Sequence, residues 1–322
     1  MAYPKSVTLI EVGPREGFQF EGIDQPDKVA TADKIRLIEM LAETGLKTIQ
    51  MSSFVSPRQV PQMADAEQIC AAVTARPGVR YTGIYLNDTG LKRAIATGKL
   101  HITGKLSMTA SETFSLRNQR RTLVEDLAMQ RKVAAVYKEN GYEVTNCSVM
   151  AAFGCNYEGE VSIAHVLRLI GELHTITDEI GSTLNTCVLA DTMGWADPGQ
   201  IHRLVGAVRD RYPTLRIGMH LHDTRGLAIA NTTAALQEGV DLFDTAVAGL
   251  GGCPFAGHKG AAGNVCSEEV VFLCERLGIE TGVDLAKLVE CARFAETIVG
   301  HPLPSKLLNA SLEPRMPEPK AA

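Results

Sequence analysis

The chain has 322 residues, of which 45% are hydrophobic and 21% charged, and its formal net charge is −5. This composition is that of an ordinary globular protein, and the acidic balance argues against nucleic acid or an anionic membrane as the main partner. The start of the chain has no apolar segment of the signal-peptide type, and no uncharged run approaches the roughly 18 residues of a membrane helix. Eight scattered cysteines without a CxxC pair are typical of reduced thiols, so we expect a cytoplasmic protein.

Eight short apolar runs, rich in β-branched residues, predict eight strands. In chain order they are VTLIEVG from residue 7, TIQMSSF from 48, YTGIYL from 81, HITGKLSM from 101, EVTNCSVMAAF from 143, TLNTCVLADT from 183, LRIGMHLH from 215 and DLFDTAVAGL from 241. Between most of them lie segments with apolar spacing near 3.6, clearest at 34–45, 123–141 and 199–213, which predict helices.

Strands that alternate with helices predict an α/β fold with a parallel sheet, and eight repeats favour closure into a (β/α)8 TIM barrel. An open doubly wound sheet is the alternative, although its usual GxGxxG fingerprint is absent after the first strand. Further helices are predicted at 270–278 and 285–300, before a Pro-rich tail that we expect to be disordered. We therefore expect a single domain over 1–322, with the barrel at about 5–275, C-terminal helices at about 276–310 and the tail at 311–322.

Polar side chains gather where the predicted strands end, which is where barrels of this kind place their active sites. The first strand runs into EVGPREGFQ, the second ends near a glutamine, and a glycine-rich loop, GLGGCPFAGHKGAAGN, follows the eighth. The residues that these ends contribute are Glu11, Arg15, Glu16, Gln19, Gln50, Asp191, Thr192, His220, His222, Cys253 and Asn264.

The sequence HLHD at 220–223 predicts a metal-binding site. Residues two apart on a strand share a face, so His220 and His222 could hold one ion together. A carboxylate from another strand end, Glu16, would complete a set of two histidines and one carboxylate with positions left open for substrate. The alternative is a pair of hydrogen-bonded core histidines.

Three further features have two interpretations each. Arg15 beside Glu16 is either a surface ion pair or a group that binds an anion or oxyanion. Cys253 lies either in a flexible surface loop or in a loop that presents a reactive acid or thiolate. In DTMGWADPGQ, Asp191 and Thr192 can serve the site, while Asp197 and Pro198 start the next helix as N-cap and first-turn proline.

Several motifs, taken together and in order, resemble the 3-hydroxy-3-methylglutaryl-CoA (HMG-CoA) lyase family, within the metal-dependent superfamily that includes isopropylmalate synthase. These motifs are EVGPREGFQ, SSFVSPRQVPQMAD, GCNYEG, ADTMGWADPG, HLHDTRGLAIAN, AGLGGCPFAG, GNVCSEEVVF and LGIETGVDL, and the match runs from about residue 7 to 310. The resemblance implies a Mg²⁺ or Mn²⁺ site and an acyl-CoA thioester substrate. We also expect a homodimer, since twofold pairing is the commonest oligomeric state.

The resemblance implies a role for each matching residue. The metal ligands would be Glu16, His220, His222 and Asn264. As polar residues at the strand ends, Arg15, Gln19, Gln50 and Thr192 are the expected substrate contacts. The implied reaction is a retro-Claisen cleavage to acetyl-CoA and a keto acid. Asp191 or His220 would remove the hydroxyl proton, Arg15 would steady the enolate, and Cys253 would protonate it.

The chain departs from the family pattern at four places. Glu16 replaces an aspartate, Gln50 replaces a glutamate, and Gly22 stands where a lysine is expected. The cysteine loop is two residues longer than usual and carries His258 and Lys259, which are either a solvated loop tip or contacts to a CoA phosphate or substrate carboxylate.

Four alternatives stay open. The first is a lyase for a related substrate, such as citramalyl-CoA or a longer 3-substituted glutaryl-CoA. The others are a Claisen-type synthase, a metal-dependent oxygenase or hydrolase, and a decayed homologue without activity.

Overall fold

Residues 3–21, 25, 27–252 and 263–310 are described by a computed structural model of the chain. Parallel strands form the wall of the fold: β1 Thr8–Glu11, β2 Thr48–Ser53, β3 Arg80–Ile84, β4 Gly104–Thr109, β5 Val144–Met150, β6 Thr186–Asp191, β7 Arg216–Leu221 and β8 Leu242–Thr245. Their hydrogen-bonded order is β3-β2-β1-β8-β7-β6-β5-β4. Because β1 pairs with β8, the wall curls back on itself, which confirms the (β/α)8 barrel and all eight strands expected from the sequence.

The seam of the barrel lies between β3 and β4. The described residues of these two strands form no ladder with each other. Just before β4, however, the backbone N–H of His101 donates to the carbonyl oxygen of Tyr81 at 2.7 Å. The two edges of the wall therefore still approach each other at this point.

Helices follow the strands around the barrel. Those in the described part of the chain are α1 Gly13–Glu21, α2 Thr31–Ala42, α3 Ala66–Ala72, α4 Asp88–Ala96, α5 Glu112–Gln119, α6 Leu123–Glu139, α7 Ile163–Glu179, α8 Pro198–Arg211, α9 Ala228–Gln237, α10 Ser267–Leu277 and α11 Leu285–Val299. The helices expected at 34–45, 123–141 and 199–213 are thus present as α2, α6 and α8. None of these helices is long and apolar enough to cross a membrane.

The start of α8 shows how local sequence sets a helix boundary. The carboxylate of Asp197 accepts from the backbone N–H of Gln200 at 2.9 Å, and the Gln200 side chain accepts from the Asp197 N–H at 3.1 Å. Pro198 occupies the first turn, where a missing N–H costs nothing. The expected N-cap and first-turn proline are both confirmed.

The main core lies between the strands and the helices. Ile49 and Leu106 alternate along their strands with polar residues, and they are at most 1% exposed, as are Met219 and Phe243. On the opposite face of the sheet, the hydroxyls of Ser107 and Ser148 are 3.1 Å apart across β4 and β5. Apolar burial therefore supports the wall from outside, which leaves polar groups on the inner face.

The C-terminal helices join the helical layer beside α2. Helix α11 packs against α2, α10 and a short 3₁₀ turn at Val247–Gly249. The backbone N–H of Asp284, at the start of α11, donates to the carbonyl oxygen of Thr44 at 2.7 Å. The turn at Val247–Gly249, in the segment after β8, also contacts α1, where the candidate site lies.

Candidate active site

Two histidines at the end of β7 point to the same place. His220 lies in register with Ala190 of β6 and Asp244 of β8, and His222 follows directly after the strand. The Nε2 atoms of the two rings are 3.1 Å apart. The shared face that the HxH spacing predicted is therefore present at the carboxyl end of the barrel.

Glu16 brings a carboxylate to the two imidazoles from α1, which begins two residues after the end of β1. Its Oε1 atom is 3.2 Å from Nε2 of His222 and 3.6 Å from Nε2 of His220. Although Glu is one methylene longer than the aspartate of the family pattern, its carboxylate reaches both rings. The predicted set of Glu16, His220 and His222 is brought together as a group that could hold a metal ion.

Glu16 is held in its charged form by its neighbours. Burial raises the pKa of its carboxyl, but the charges of Arg15 and His220 and the hydrogen bonds from both histidines outweigh burial. The pKa of Glu16 is therefore held well below its usual value, and the carboxylate is ready to act as a ligand.

Asn264 adds an unpartnered amide oxygen to the site. Its side chain is buried, and its Nδ2 donates to the carbonyl oxygen of Leu250 at 3.1 Å. Its Oδ1 has no hydrogen-bond partner among the described residues, and its backbone forms a bridge with His222. A buried amide oxygen without a donor is costly unless something else binds it.

These donors fit a divalent cation of the Mg²⁺ or Mn²⁺ type. Adjacent ligands of an octahedral ion with 2.1 Å bonds lie about 3.0 Å apart. The three ligand-atom separations among Glu16, His220 and His222 are 3.1, 3.2 and 3.6 Å. These three atoms therefore have nearly the spacing required, and the orphaned Oδ1 of Asn264 offers a second oxygen to the set.

Arg15 lies beside this group and is aimed by two acceptors. Its Nη2 forms an ion pair with Oε2 of Glu16 at 2.8 Å, and its Nε donates a hydrogen bond to Oε1 of Gln50 at 2.5 Å. Only 15% of the Arg15 side chain is exposed. Gln50 therefore acts as a neutral support for the guanidinium, where the family pattern would place a second negative charge.

Asp191 and Thr192 lie at the end of β6, as expected, and both make structural contacts. The two oxygens of Asp191 accept from the backbone N–H groups of Trp195 and Ala196 at 2.7 and 3.0 Å. Burial raises the pKa of Asp191 in spite of these bonds. The hydroxyl of Thr192 accepts from the N–H of Ala151 at 2.9 Å and so ties two strand-end loops together.

The remaining expected site residues are placed only in part. Gln19 lies on α1, and its carbonyl oxygen accepts from the side-chain amide of Gln62. Cys253, His258 and Lys259 lie outside the described residues, as does Gly22.

Asp244 is a site residue that the sequence reasoning missed. It lies on β8, and its Oδ2 is 3.1 Å from Nδ1 of His220. Burial lowers the pKa of His220, but the charges and hydrogen bonds of Glu16 and Asp244 outweigh it and raise the pKa to about 9. An acidic residue in the middle of the apolar strand DLFDT was the available signal.

Comparison with known proteins agrees with this geometry. The HMGL-like family model matches residues 6–295. The chain is 38% identical to hydroxymethylglutaryl-CoA lyase of Bacillus subtilis, over 96% of this chain and 98% of that protein. It is 37% identical to the human mitochondrial hydroxymethylglutaryl-CoA lyase, over 96% of this chain and 90% of that protein.

A solved structure of the Bacillus subtilis HMG-CoA lyase has a TM-score of 0.87 with this chain at 37% identity, and covers 96% of this chain and 99% of that one. The chain belongs to the HMGL-like family. Another HMGL-like relative, an HMG-CoA lyase from Acinetobacter baumannii, was solved in complex with coenzyme A and 3-methylmalate. It has a TM-score of 0.86 at 34% identity, over 99% of this chain and 100% of that one.

The buried carboxyl of Glu11 connects two segments that form the candidate site of this HMGL-like protein. Glu11, at the end of β1, accepts from the backbone N–H groups of Gly13 at 2.7 Å and Val247 at 2.9 Å. Its other oxygen is 2.5 Å from the hydroxyl of Ser267, which is 2.7 Å from the hydroxyl of Thr245. Glu11 thereby joins the start of α1, which carries Arg15 and Glu16, to the segment after β8.

Glu11 is expected to make stability fall as pH rises. Burial raises the pKa of this carboxyl from 4.5 to about 7, in spite of its hydrogen bonds. The folded chain therefore favours the protonated form. The resulting stability is fully present below pH 4.5 and is lost as pH rises through 7, an effect on the order of 3 kcal/mol.

Glu11→Gln tests this pH dependence, since glutamine imitates the protonated carboxyl. The free energy of unfolding of the metal-free protein, measured in urea at pH 5 and pH 8, should differ less in the variant than in the wild type. Glu43→Gln is the control, because Glu43 is exposed and pairs only weakly with Arg76. Equal pH dependence in Glu11→Gln and the wild type would contradict the prediction.

Proposed function

We propose that this chain is a divalent-metal-dependent lyase that cleaves HMG-CoA to acetyl-CoA and a keto acid, acetoacetate. The observation that carries the proposal is the group of Glu16, His220, His222 and the orphaned Asn264 oxygen beside the Arg15 guanidinium. The named relatives, similar over nearly the whole chain, are hydroxymethylglutaryl-CoA lyases. Their substrate supports the same assignment here.

The reaction breaks one carbon–carbon bond. Removal of the proton from the tertiary hydroxyl lets that oxygen become the ketone of acetoacetate. The bond between the hydroxyl-bearing carbon and the α-carbon of the thioester breaks, and its electron pair forms the thioester enolate. Protonation of the enolate carbon gives acetyl-CoA, so that atoms and electrons balance without a redox cofactor.

We propose that Glu16, His220, His222 and Asn264 hold Mg²⁺ or Mn²⁺. When bound, such an ion supplies Lewis acidity to the oxygens of the substrate. The ligand oxygens and imidazoles suit both ions, so the donor set does not choose between them.

Asp191 is our choice for the group that accepts the hydroxyl proton. His220 was the other candidate, but its Nε2 faces Glu16 and His222 while its Nδ1 faces Asp244. One nitrogen lone pair cannot hold an ion and take a proton together. The raised pKa of the buried Asp191 carboxyl makes it a stronger base than an ordinary aspartate.

Arg15 is proposed to stabilise the enolate. Its guanidinium carries a permanent positive charge and is held by Glu16 and Gln50, so that it need not reorganise when charge develops. Gln19, Gln50 and Thr192 remain proposed substrate contacts, with Gln50 acting at least in part through Arg15.

Cys253 remains the proposed acid that protonates the enolate, on the family resemblance alone. Cys253→Ser is expected to keep Mn²⁺ affinity and to lower kcat by roughly 10², the usual cost of losing a positioned acid. Steady-state turnover and Mn²⁺ titration of the same preparation check this. Unchanged turnover would remove Cys253 from the mechanism.

A coupled assay for acetyl-CoA release tests the proposed function. Metal-stripped protein receives HMG-CoA with and without Mg²⁺ or Mn²⁺, and metal-dependent release is the expected result. No release with Mn²⁺ still bound would contradict the substrate assignment, and citramalyl-CoA and longer 3-substituted glutaryl-CoA would then be compared. No release and no Mn²⁺ binding would contradict the metal centre.

The cellular setting is a separate set of predictions. A single domain over 1–322, a homodimer, a cytoplasmic location and the absence of nucleic-acid or membrane partners stay predictions from the sequence. Size-exclusion chromatography with light scattering would measure the oligomeric state directly.

A further inference from the structure

We infer that Asp244 is a positioning residue that orients His220 toward the metal. This inference rests on the proposed metal centre and deepens it. Asp244 and His220 are register partners on the adjacent parallel strands β8 and β7, so the backbone itself places them side by side. The Oδ2 of Asp244 is 3.1 Å from Nδ1 of His220, and the two side chains are only 13% and 12% exposed.

The hydrogen bond selects one form of the imidazole. A carboxylate only accepts, so the Nδ1 of His220 must carry the proton that it donates to Asp244. The Nε2 of His220 is on the far side of the ring, where it faces Nε2 of His222 and Oε1 of Glu16. When a cation replaces the proton on Nε2, the bond to Asp244 keeps the remaining proton on Nδ1, so that the Nε2 lone pair faces the cation and the plane of the ring is fixed.

The two histidines of the site differ in the hydrogen bonding of their Nδ1 atoms. The Nδ1 of His222 is buried and has no hydrogen-bond partner among the described residues. Its ring is held instead by the backbone bridge to Asn264 and by dense packing, since His222 is 3% exposed. Loss of a supporting carboxylate should therefore affect the binding of the ion through His220 and leave His222 in place.

In the described part of the chain, the Asp244 carboxylate has no lysine or arginine partner that would compete with His220. No lysine or arginine nitrogen there lies within 4.0 Å of its carboxylate, which forms an ion pair with His220. A partly buried carboxylate without a basic partner is costly to keep. Pairing with an imidazole that binds a cation would offset this cost. The positive charge of the cation, on the other side of the imidazole ring, would attract the Asp244 carboxylate.

Asp244→Ala and Asp244→Asn test the inference by Mn²⁺ titration of the metal-free protein. The alanine variant loses both the acceptor and the charge, and we expect its Kd for Mn²⁺ to rise about 10- to 100-fold. The asparagine variant can still accept from Nδ1 through its amide oxygen, so its Kd should lie between those of the wild type and the alanine variant. With Mn²⁺ at saturation, kcat should fall much less than the affinity does.

Asp241 provides a matched control on the same stretch of chain. It immediately precedes β8, and its carboxylate pairs with Arg216 at 2.8 Å, with both side chains 41% exposed. Asp241→Ala removes the same charge from the protein, but at the opposite end of the strand. Its Mn²⁺ affinity should equal that of the wild type, and thermal unfolding of each metal-free variant checks that the fold is kept.

Two results would overturn the inference. One is wild-type Mn²⁺ affinity in a folded Asp244→Ala protein, and the other is an equal loss in Asp241→Ala, which would show an effect of overall charge. The test also separates this inference from the proposed reaction. If the wild type binds Mn²⁺ but does not cleave HMG-CoA, the reaction is contradicted while the graded loss in the Asp244 variants still supports the positioning role.

Discussion

His222→Ala is expected to abolish detectable Mn²⁺ binding and, with it, the metal-dependent release of acetyl-CoA. His222 contributes Nε2 to the proposed ion, 3.1 Å from Nε2 of His220 and 3.2 Å from Oε1 of Glu16. Removing a ligand should cost more than the roughly 100-fold loss that follows removal of a group that only supports one. Equilibrium dialysis against Mn²⁺ would measure the number of ions bound per chain and the Kd.

The fold should survive this substitution. The imidazole lies at the mouth of the barrel, outside the apolar layer between strands and helices, so its loss is expected to cost about 1–3 kcal/mol. His202→Ala is the matched control, because His202 pairs with Glu238 on the helical layer and is 35% exposed. If a folded His222→Ala protein bound one ion per chain with wild-type affinity, the assignment of HLHD to the metal-binding site would be refuted.

The barrel was predictable because its strands carry strong local signals. Runs such as TCVLAD and RIGMHL are mainly apolar and contain β-branched residues, and helices of 3.6 periodicity separate most of them. Buried parallel strands need such runs, since both faces of the wall are covered. The grouping of Glu16, His220 and His222 was predictable for a related reason, because strand ends converge in a barrel and HxH places both imidazoles on one face.

Contacts between distant strands were not predictable in the same way. Asp244 meets His220 only because β7 and β8 pair in a particular register, and a shift of one residue would turn the carboxylate to the other face. Glu11 accepts a hydrogen bond from Val247, which is 236 positions away in the chain, so no local sequence pattern predicts this bond. Glu11 was among the expected strand-end residues and Asp244 was not, and nothing local in the sequence indicates what either acid contacts.

The first strand ends at Glu11, two residues before the end of the predicted run VTLIEVG. Helix α1 begins at Gly13, whose N–H is capped by the carboxylate of Glu11, and Pro14 suits the first turn. Arg15 and Glu16 are therefore on the first turn of a helix, with their backbone N–H groups bonded to the carbonyl oxygen of Val12. A helix holds the two side chains more rigidly than an extended loop would.

Arg15→Gln is expected to lower kcat by about 10²–10³, the range observed when one group that stabilises a developing oxyanion is removed. Its Mn²⁺ affinity should not weaken. The guanidinium is a positive charge 2.8 Å from Oε2 of Glu16, so it competes with the cation for that carboxylate. Lower turnover with unchanged or tighter Mn²⁺ binding would distinguish Arg15 from the metal ligands. Loss of a ligand should reduce both turnover and Mn²⁺ affinity.

Two further variants make this result decisive. Arg15→Lys keeps a positive charge but loses the Nε bond to Gln50, so we expect its kcat between those of Arg15→Gln and the wild type. Arg131→Gln is the control for loss of an arginine, because Arg131 pairs with Glu179 between two outer helices and is 41% exposed. If Arg15→Gln turned over at the wild-type rate with saturating Mn²⁺, the enolate would be stabilised by other groups, and Arg15 would serve only to hold Glu16 in place.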